Sequence, residues 1–354
     1  MKRRDVLSGA GAAALGVAAP AVGQSVRHLT MVTDWPDGPG VLPSARRLAR
    51  SIQDASDGRI RIEVTPSGAV VRPFETFDAV SAGVADMFHS HIGYFENKSP
   101  VLHFWSGLPF GMTANELFAW VHFGGGRALW DEVVGPFDIK PLLASSTGAQ
   151  MGGWFREPLD SVEAIDGLRY RMAEPGAEVF RRLGATVVVV PGADIVQSLE
   201  SGAIDACEWL GPWLDTAMGL DRVARYYYYP SWHEPGTVLA LGINRRVWES
   251  FGERDRRLVE SACAAEFMTA LAEFNTNNAR ALKQLRDAGR VSIRRFGNDI
   301  VAELARISRE VVTEKGAADE LAGRVLASYA DFLGLARSWS DVGEGAYLSL
   351  PNPW

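Results

Sequence analysis

The chain has 354 residues, of which 47% are hydrophobic and 22% charged, and its formal net charge is −7 at pH 7. This length allows two globular domains, and the hydrophobic fraction is sufficient for two cores. The negative charge argues against nucleic acid or an anionic membrane as a partner, so an anionic ligand would need a local arginine or a metal ion.

The first 24 residues have the form of an export signal. Residues 1–7 are basic with adjacent arginines, and residues 8–22 are apolar and rich in Gly and Ala. This pattern is typical of a cleaved twin-arginine signal. A membrane anchor is the alternative, but the run is shorter than the roughly 20 apolar residues of a spanning helix and contains Pro20. We therefore expect a periplasmic protein.

Along the next part of the chain, the period of the apolar residues alternates between that of strands and that of helices. A capping box of Thr113 and Glu116 begins one helix, which ends at Gly124. The other predicted elements are strands at residues 29–32, 60–64, 87–91, 141–144 and 151–155, and helices at residues 43–56 and 74–82. Such alternation favours a mostly parallel sheet with helices on both faces.

A second alternating unit follows. Strands are predicted at residues 168–172, 186–190 and 206–209, with helices at residues 177–183 and 195–200. Glu208 and Trp209 therefore lie at the end of a strand, where open α/β sheets bind ligands. After residue 245 the pattern is mainly helical. Residues 253–289 contain no proline and can form one helix of about 50 Å, which is long enough to span two domains.

Three segments contain side chains suited to a small acid and a cation: Thr147-Gly148-Ala149-Gln150-Met151-Gly152-Gly153-Trp154-Phe155, Gly167-Leu168-Arg169-Tyr170-Arg171, and residues 202–212 around Glu208. The planar fork of Arg171 matches a carboxylate. A glutamate beside an amide oxygen and a carbonyl is an oxygen set that suits a hard cation. Each residue also has a structural interpretation, since Arg171 could form an ion pair and Glu208 could be solvated.

The order of these motifs, followed by Tyr226-Tyr227-Tyr228-Tyr229-Pro230-Ser231-Trp232, resembles that of the periplasmic solute-binding subunits of TRAP transporters. The chain most resembles the branch that binds 2-oxo acids, over nearly all of its length after the signal. The resemblance implies an α/β, two-lobed periplasmic-binding-protein (Venus flytrap) fold with long hinge-spanning and carboxy-terminal helices. The implied lobes are residues 25–147 and 148–240, and residues 241–354 supply a returning strand and helices that bridge or pack on both.

For the site, the resemblance implies that Arg171 pairs with the carboxylate of the ligand. A cation, sodium or calcium, would be held by Gln150, Glu208 and the backbone carbonyl of Trp209. A 2-oxo or 2-hydroxy acid would complete the set by chelation, and no organic cofactor is implied. The implied partners are this small acid and the membrane permease subunits of the transporter.

Further candidates have weaker signals. Trp209 and Trp232 are candidate cleft walls, although aromatic residues at strand ends more often fill cores. Glu234 lies in a turn-rich loop and is expected to bind the ligand or its neighbours. Tyr94 is expected to reach the ligand from the opposite wall. The aromatic run around Tyr94 is thinner than in the oxo-acid binders and His91 is unusual there, which indicates a pocket of altered size or polarity.

Two other function classes stay open at this stage. One is a sensory domain that presents its ligand to a receptor, because its lobes and pocket would look the same. The other is an exported metal-assisted hydrolase or lyase with Glu208 as a base, but Gly-x-Ser-x-Gly, phosphate-loop and Cys-x-x-Cys motifs are missing from the sequence.

The cysteine count and the last helical stretch bear on covalent and subunit structure. Cys207 and Cys263 are the only cysteines, which excludes a disulfide framework; we expect two buried free thiols, with one disulfide as the alternative. Residues 319–339 form a long amphipathic stretch. It either packs on its own chain in a monomer or is exchanged between the subunits of a homodimer.

Overall fold

The computed structural model describes residues 26–352, so the predicted export signal lies outside the described residues. The strands are β1 (Arg27–Thr33), β2 (Ile60–Thr65), β3 (Met87–Ser90), β4 (Ile139–Gly148), β5 (Gly153–Phe155), β6 (Arg169–Arg171), β7 (Thr186–Val188), β8 (Ala206–Cys207), β9 (Tyr226–Tyr229), β10 (Thr237–Asn244) and β11 (Ser292–Arg295). The α-helices are α1 (Val41–Ala55), α2 (Thr76–Ser81), α3 (Ala114–Phe123), α4 (Gly126–Val134), α5 (Gly176–Arg182), α6 (Ile195–Glu200), α7 (Pro212–Met218), α8 (Leu220–Val223), α9 (Arg245–Ser250), α10 (Glu253–Ala288), α11 (Asn298–Gly316), α12 (Glu320–Ser340) and α13 (Glu344–Leu348). Between residues 26 and 352, no helix combines the length and apolar character that crossing a membrane requires.

The strands form two sheets, one in each lobe. The sheet of the first lobe has the order β2-β1-β3-β10-β4, and that of the second lobe β11-β9-β5-β8-β6-β7. Both are mixed, because β10 is antiparallel to β3 and β4, and β5 is antiparallel to β8 and β9. In each sheet one strand, β10 or β5, runs against all the others, so the predicted mostly parallel arrangement is present with one reversed strand per sheet. The chain enters β5 and β10 directly from the other lobe, without the helical crossover that joins parallel neighbours.

The chain crosses between the lobes through short segments that also border the cleft. The first crossing, residues 149–152, joins β4 to β5, and the second, residues 230–236, joins β9 to β10. The strand that returns to the first lobe starts at Thr237, before the predicted boundary at residue 240. As a result, side chains next to both crossings face the space between the sheets.

The long helix α10 is continuous, as predicted. Its 36 residues correspond to about 54 Å, and it ends at Gly289, which has a φ of 64°. Val259 and Cys263 pack in the core of the first lobe, whereas Phe274 and Leu285 pack with residues of the second lobe. One rigid element therefore braces both lobes.

The last long helices are divided between the lobes. Ile300 and Leu304 of α11 pack in the core of the second lobe. Val325 and Tyr329 of α12 pack in the core of the first lobe, where the Tyr329 hydroxyl accepts a 2.8 Å hydrogen bond from the Met112 N–H. The carboxy-terminal helices thus pack back on their own chain in this structure.

The two cysteines lie in different cores. Cys207 is in the second lobe and Cys263 is on α10 beside the first lobe, and both are buried and free, as expected. Burial raises the pKa of the Cys207 thiol well above its ordinary value. Both side chains therefore act as small apolar groups.

Candidate functional site

A small cavity lies between the lobes, at the ends of strands from both sheets. It contains most of the residues predicted for the site and several that were not predicted. The lining residues are Trp35, His91, Tyr94, Gln150, Arg171, Ala173, Glu208, Trp209, Leu210, Glu234, Thr237 and Leu239.

Arg171 is the last residue of β6, and strand pairing places it beside Glu208. The parallel register of β6 and β8 pairs Arg171 with Cys207, so that Glu208 follows directly. Nη1 of Arg171 donates to Oε1 of Glu208 at 2.5 Å and to its carbonyl oxygen at 2.8 Å. The guanidinium carbon lies 5.4 Å from the ring centroid of Trp209. Nη2 is buried and makes no hydrogen bond of normal geometry among residues 26–352, although the Tyr94 hydroxyl lies close to the guanidinium, so this donor can be directed at a ligand.

Among residues 26–352, only one carboxylate oxygen of Glu208 accepts hydrogen bonds. Oε1 accepts from Arg171 and, at 3.1 Å, from the Ala173 N–H. Oε2 makes no hydrogen bond with the described part of the chain and lies 3.7 Å from Nε2 of His233. The side chain is only 3% exposed. Oε2 is therefore an anionic oxygen that can take a cation.

Gln150, in the first crossing, has its amide orientation set by its neighbours. Nε2 lies 2.8 Å from Oε2 of Glu234 and 2.7 Å from Oγ1 of Thr237, and the Thr237 hydroxyl itself donates to Glu234 at 2.7 Å. Because a carboxylate only accepts and the Thr237 proton is directed at Glu234, both neighbours require the NH₂ group of Gln150. Oε1 therefore points away from them, and it is buried without a partner in residues 26–352.

The charge of Glu234 maintains that orientation. Its Oε1 lies 3.2 Å from Nε2 of His91. Burial favours the neutral acid, but the nearby His91 and His233 rings and the Thr237 hydroxyl outweigh it and lower the pKa of the Glu234 carboxyl. Glu234 is thus an ionised acceptor at neutral pH, and it accepts from the Gln150 amide.

Tyr94 and His91 form part of the wall contributed by the first lobe. Their ring centroids are 4.9 Å apart, and the Tyr94 ring also lies 4.8 Å from that of Phe74. The Phe74 N–H donates to Oδ1 of Asp34 at 2.7 Å, which fixes this aromatic neighbour. Burial raises the pKa of the Tyr94 hydroxyl, so it remains a donor at neutral pH.

The oxygen atoms at this site suit a hard cation. Oε1 of Gln150 is an unpaired buried acceptor, and the Glu208 carboxylate adds a negative charge on the same cavity. Within residues 26–352, no three or more His, Cys, Asp or Glu side chains form a group that could hold a metal ion. Sodium and calcium accept amide, carboxylate and ligand oxygens, so the residues present fit either ion when a ligand completes the set.

Residues 31–319 match the family model of the bacterial extracellular solute-binding proteins, family 7, known as DctP. The chain belongs to this family. Its relatives are receptors, which supports binding rather than catalysis, and the two-lobed fold expected from the resemblance to TRAP solute-binding proteins is confirmed.

Relatives of this family 7 protein include well-covered chains with bound acids. It is 33% identical over 360 residues to a monocarboxylate 2-oxoacid-binding periplasmic protein from a Nostoc species, covering 98% of each chain. A TRAP transporter solute-binding protein from Bordetella bronchiseptica has a TM-score of 0.89 and 30% identity over 91% of this chain and 96% of that one. That protein is a mixed-occupancy dimer, with copurified calcium and picolinate in one active site and the other site apo. A TRAP periplasmic solute-binding protein from Pseudoalteromonas atlantica, with sodium and pyruvate, has a TM-score of 0.88 and 30% identity over 92% of this chain and 100% of that one.

One predicted site residue of this family 7 protein lies elsewhere. Trp232 was expected to form a cleft wall, but it does not line the cavity. Its indole stacks on Phe180 at 5.7 Å in the core of the second lobe, and its carbonyl accepts from the Phe110 N–H at 2.7 Å. Trp232 thus ties the second crossing to both lobes.

Five lining residues were missed at the sequence level, and for two of them, Trp35 and Thr237, the structure shows polar contacts. Trp35 follows the end of β1. Because ligands bind at strand ends in such sheets, this position could have indicated a site residue from the sequence. Its Nε1 donates to Nδ1 of His89 at 2.9 Å, and burial lowers the pKa of His89 to about 4, which keeps that ring a neutral acceptor. Thr237 had no local signal, because its role depends on Gln150 and Glu234 arriving from two different crossings.

Proposed function

We propose that this protein is the periplasmic solute receptor of a TRAP transporter and that it binds a small 2-oxo or 2-hydroxy acid together with sodium or calcium. The observation that carries the proposal is that a buried, unpaired donor, Nη2 of Arg171, and a buried, unpaired acceptor, Oε1 of Gln150, lie on one cavity. Leaving such groups unsatisfied costs about 1–3 kcal/mol each. A carboxylate with its cation satisfies both.

Each residue then has a defined role. Arg171 donates to the ligand carboxylate, while Gln150, Glu208 and the backbone carbonyl of Trp209 hold the cation. The acid chelates the cation through one carboxylate oxygen and the 2-oxygen, and the cation offsets the negative charge of the acid. From the first lobe, Tyr94 contributes a hydroxyl donor and His91 a polar wall. The Trp209 indole, on the second lobe, limits the cavity on the other side.

Binding is coupled to closure because the ligand contacts both lobes. Such contacts stabilise the closed state only to the extent that they are absent when the lobes are apart. The amino-terminal signal would direct the protein to the periplasm through the twin-arginine pathway. The closed, loaded receptor would then deliver the acid to the membrane permease subunits of the transporter.

The first prediction is cation-dependent, one-to-one acid binding. Purified protein is unfolded and refolded to remove copurified ligand, then studied by thermal unfolding with pyruvate, in potassium buffer treated with chelator, with and without added calcium or sodium. At a ligand concentration of 100 times Kd, linkage stabilises the fold by about 2.7 kcal/mol, and we expect this only when cation is present. If no short 2-oxo or 2-hydroxy acid stabilises the protein with either cation, or if the acid is turned over, the proposal is wrong.

We also propose that two copies pair through the carboxy-terminal segment, residues 335–350. This segment has a run of largely exposed apolar side chains: Leu335, Trp339, Val342, Tyr347, Leu348 and Leu350. A concentration of large exposed apolar side chains in one short segment marks an interface more often than single scattered ones do. The relative from Bordetella bronchiseptica is a dimer, which supports a second copy of this chain as the partner of the segment. Whether the segment is exchanged or only packed against its partner, the mass in solution would be that of a dimer.

The second prediction concerns this mass. Light scattering of the mature protein is expected to give a dimer, and the double change Leu335→Glu and Trp339→Glu a monomer, because charges replace apolar contacts. Ala265→Glu, at an exposed position of α10, serves as the control and should leave the dimer intact. A monomeric wild-type protein would exclude the pairing.

A further inference from the structure

The short backbone segment that carries two of the proposed cation ligands is tied to the protein at both ends. At its start, the Glu208 N–H donates to the Arg171 carbonyl at 3.1 Å, and the Glu208 carbonyl accepts from Nη1 of Arg171 at 2.8 Å. At its end, the Leu210 carbonyl accepts from the Met151 N–H at 3.1 Å. The Trp209 carbonyl lies between these ties, and no backbone N–H in the described part of the chain donates to it. The direction of this carbonyl therefore depends on how its neighbours are held.

The Leu210 N–H is held by Asp215, a residue of α7 that does not line the cavity. Oδ1 of Asp215 accepts from this N–H at 3.1 Å. The peptide bond between Trp209 and Leu210 is trans and planar, so the Leu210 N–H and the Trp209 carbonyl point in opposite directions. The contact with Asp215 thus aims the Trp209 carbonyl away from the Asp215 side chain.

The Asp215 carboxylate is itself fixed in the core of the second lobe. Its Oδ2 accepts from Nε1 of Trp154 at 2.8 Å and from the Tyr227 hydroxyl at 2.6 Å. The two rings stack at 3.8 Å between centroids, on the paired strands β5 and β9. Burial raises the pKa of the Asp215 carboxyl to about 6, and the three hydrogen bonds oppose this rise. At neutral pH the carboxylate is therefore mostly ionised, and both of its oxygens accept from donors that hold it in place.

The contacts of Asp215 fall into two groups. The ring donors on Oδ2 belong to the core, whereas the donor on Oδ1 is the backbone next to a proposed cation ligand. We propose that Asp215 is a positioning residue for the cation: it holds the Leu210 N–H so that the Trp209 carbonyl is directed at the ion. This inference rests on the proposed function, because it takes the Trp209 carbonyl as a cation ligand. Residues that orient metal ligands without touching the metal typically contribute about tenfold to a hundredfold to metal affinity.

The test replaces Asp215 by asparagine, which has the same shape but only one acceptor oxygen. Whichever way the amide turns, its NH₂ group faces either the Leu210 N–H or the Trp154 indole N–H, and no charge remains to strengthen the other contact. We expect the calcium concentration for half-maximal binding, at saturating pyruvate, to rise by about tenfold or more in Asp215→Asn. Isothermal titration well below the unfolding temperature of each variant measures this effect, so that a loss of stability alone does not change the result. Sodium is titrated in the same way.

Trp154→Phe is the matched control, because it removes one donor from Oδ2 and leaves the contact with Leu210 in place. This variant is expected to unfold at lower temperature, since it loses core contacts, but to need the same calcium concentration as the wild-type protein. In the double variant Trp154→Phe/Asp215→Asn, the amide can turn its oxygen to Leu210 and its NH₂ group to the Tyr227 oxygen. We therefore expect the double variant to bind calcium more tightly than Asp215→Asn does.

The possible failures are distinguishable. If Asp215→Asn is less stable but keeps the calcium requirement of the wild-type protein, Asp215 supports only the fold, while the proposed function stands. If the double variant needs as much calcium as Asp215→Asn, the charge of Asp215 acts rather than its bond to Leu210, and the inference is wrong. If Asp215→Asn alone does not fold, a large loss of calcium affinity from Trp154→Phe to the double variant contradicts the inference, and a small one supports it. If the wild-type protein shows no cation-dependent binding of pyruvate, the proposed function fails together with the inference.

Discussion

Replacing Arg171 by lysine is expected to weaken acid binding by roughly tenfold to a hundredfold, the loss of one charged hydrogen bond. In the structure the guanidinium divides its donors, since Nη1 is bound to the Glu208 carboxylate and carbonyl while Nη2 stays free. A lysine ammonium is a compact charge without this planar fork and cannot serve Glu208 and the ligand in the same geometry. Because the charge is kept, Glu208 retains a counter-ion. Isothermal titration with pyruvate in saturating calcium measures the effect.

The matched control lies two residues earlier on the same strand. Arg169 pairs with Asp205 on the surface, with 47% of its side chain exposed, so Arg169→Lys should bind pyruvate as the wild-type protein does. Circular dichroism and thermal unfolding confirm that both variants are folded. Wild-type affinity in Arg171→Lys would mean that the carboxylate is bound elsewhere.

Replacing Glu208 by glutamine is expected to abolish the stabilisation that calcium or sodium confers in the presence of acid. Glutamine keeps an oxygen for the Ala173 N–H but removes the one carboxylate among the proposed cation ligands. It also leaves Arg171, which is 1% exposed, without its ionic partner. Breaking a buried pair in this way destabilises a fold by up to about 3–5 kcal/mol. The variant should therefore unfold at lower temperature and respond little to cation plus acid.

Thermal unfolding in four conditions, with and without cation and with and without acid, separates these two effects. Glu200→Gln, at an exposed position at the end of α6, is the control for loss of a carboxylate and should retain the full response. A Glu208→Gln variant that is destabilised but still shows the wild-type cation response would place the ion outside the proposed site.

Elements whose signals lie within a few residues could be predicted from the sequence. The capping box is present: the Thr113 N–H donates to Oε2 of Glu116 at 2.7 Å, and the Glu116 N–H donates to Oγ1 of Thr113 at 3.4 Å. Helix α10 is continuous because no proline interrupts it and its apolar residues find partners in both lobes. That Arg171 and Glu208 lie at the same edge of a sheet was also predictable, since both lie near the ends of predicted strands of one alternating unit. Their direct pairing was not predictable, because β7 lies between β6 and β8 in the chain.

Features that depend on contacts distant along the chain could not be predicted. β10 is antiparallel to β3 and β4 because the chain comes from the second lobe and inserts this strand between them. Nothing in the sequence of β10 indicates this direction. Trp232 looks the same in sequence whether its indole meets a ligand or Phe180. The amide orientation of Gln150 depends on Glu234 and Thr237, which follow more than 80 residues later in the chain. This contact exists only when the fold brings the two crossings together.

The placement of the two cysteines affects where this protein can fold. Cys207 and Cys263 are buried in separate cores as free thiols, and the sequence contains no other cysteine. No covalent cross-link therefore contributes to the stability of either lobe, and reaching the native state requires neither an oxidant nor a disulfide isomerase. The chain can acquire this structure in a reducing and in an oxidising compartment alike, so the proposed export would give the same fold whether folding precedes it or follows it.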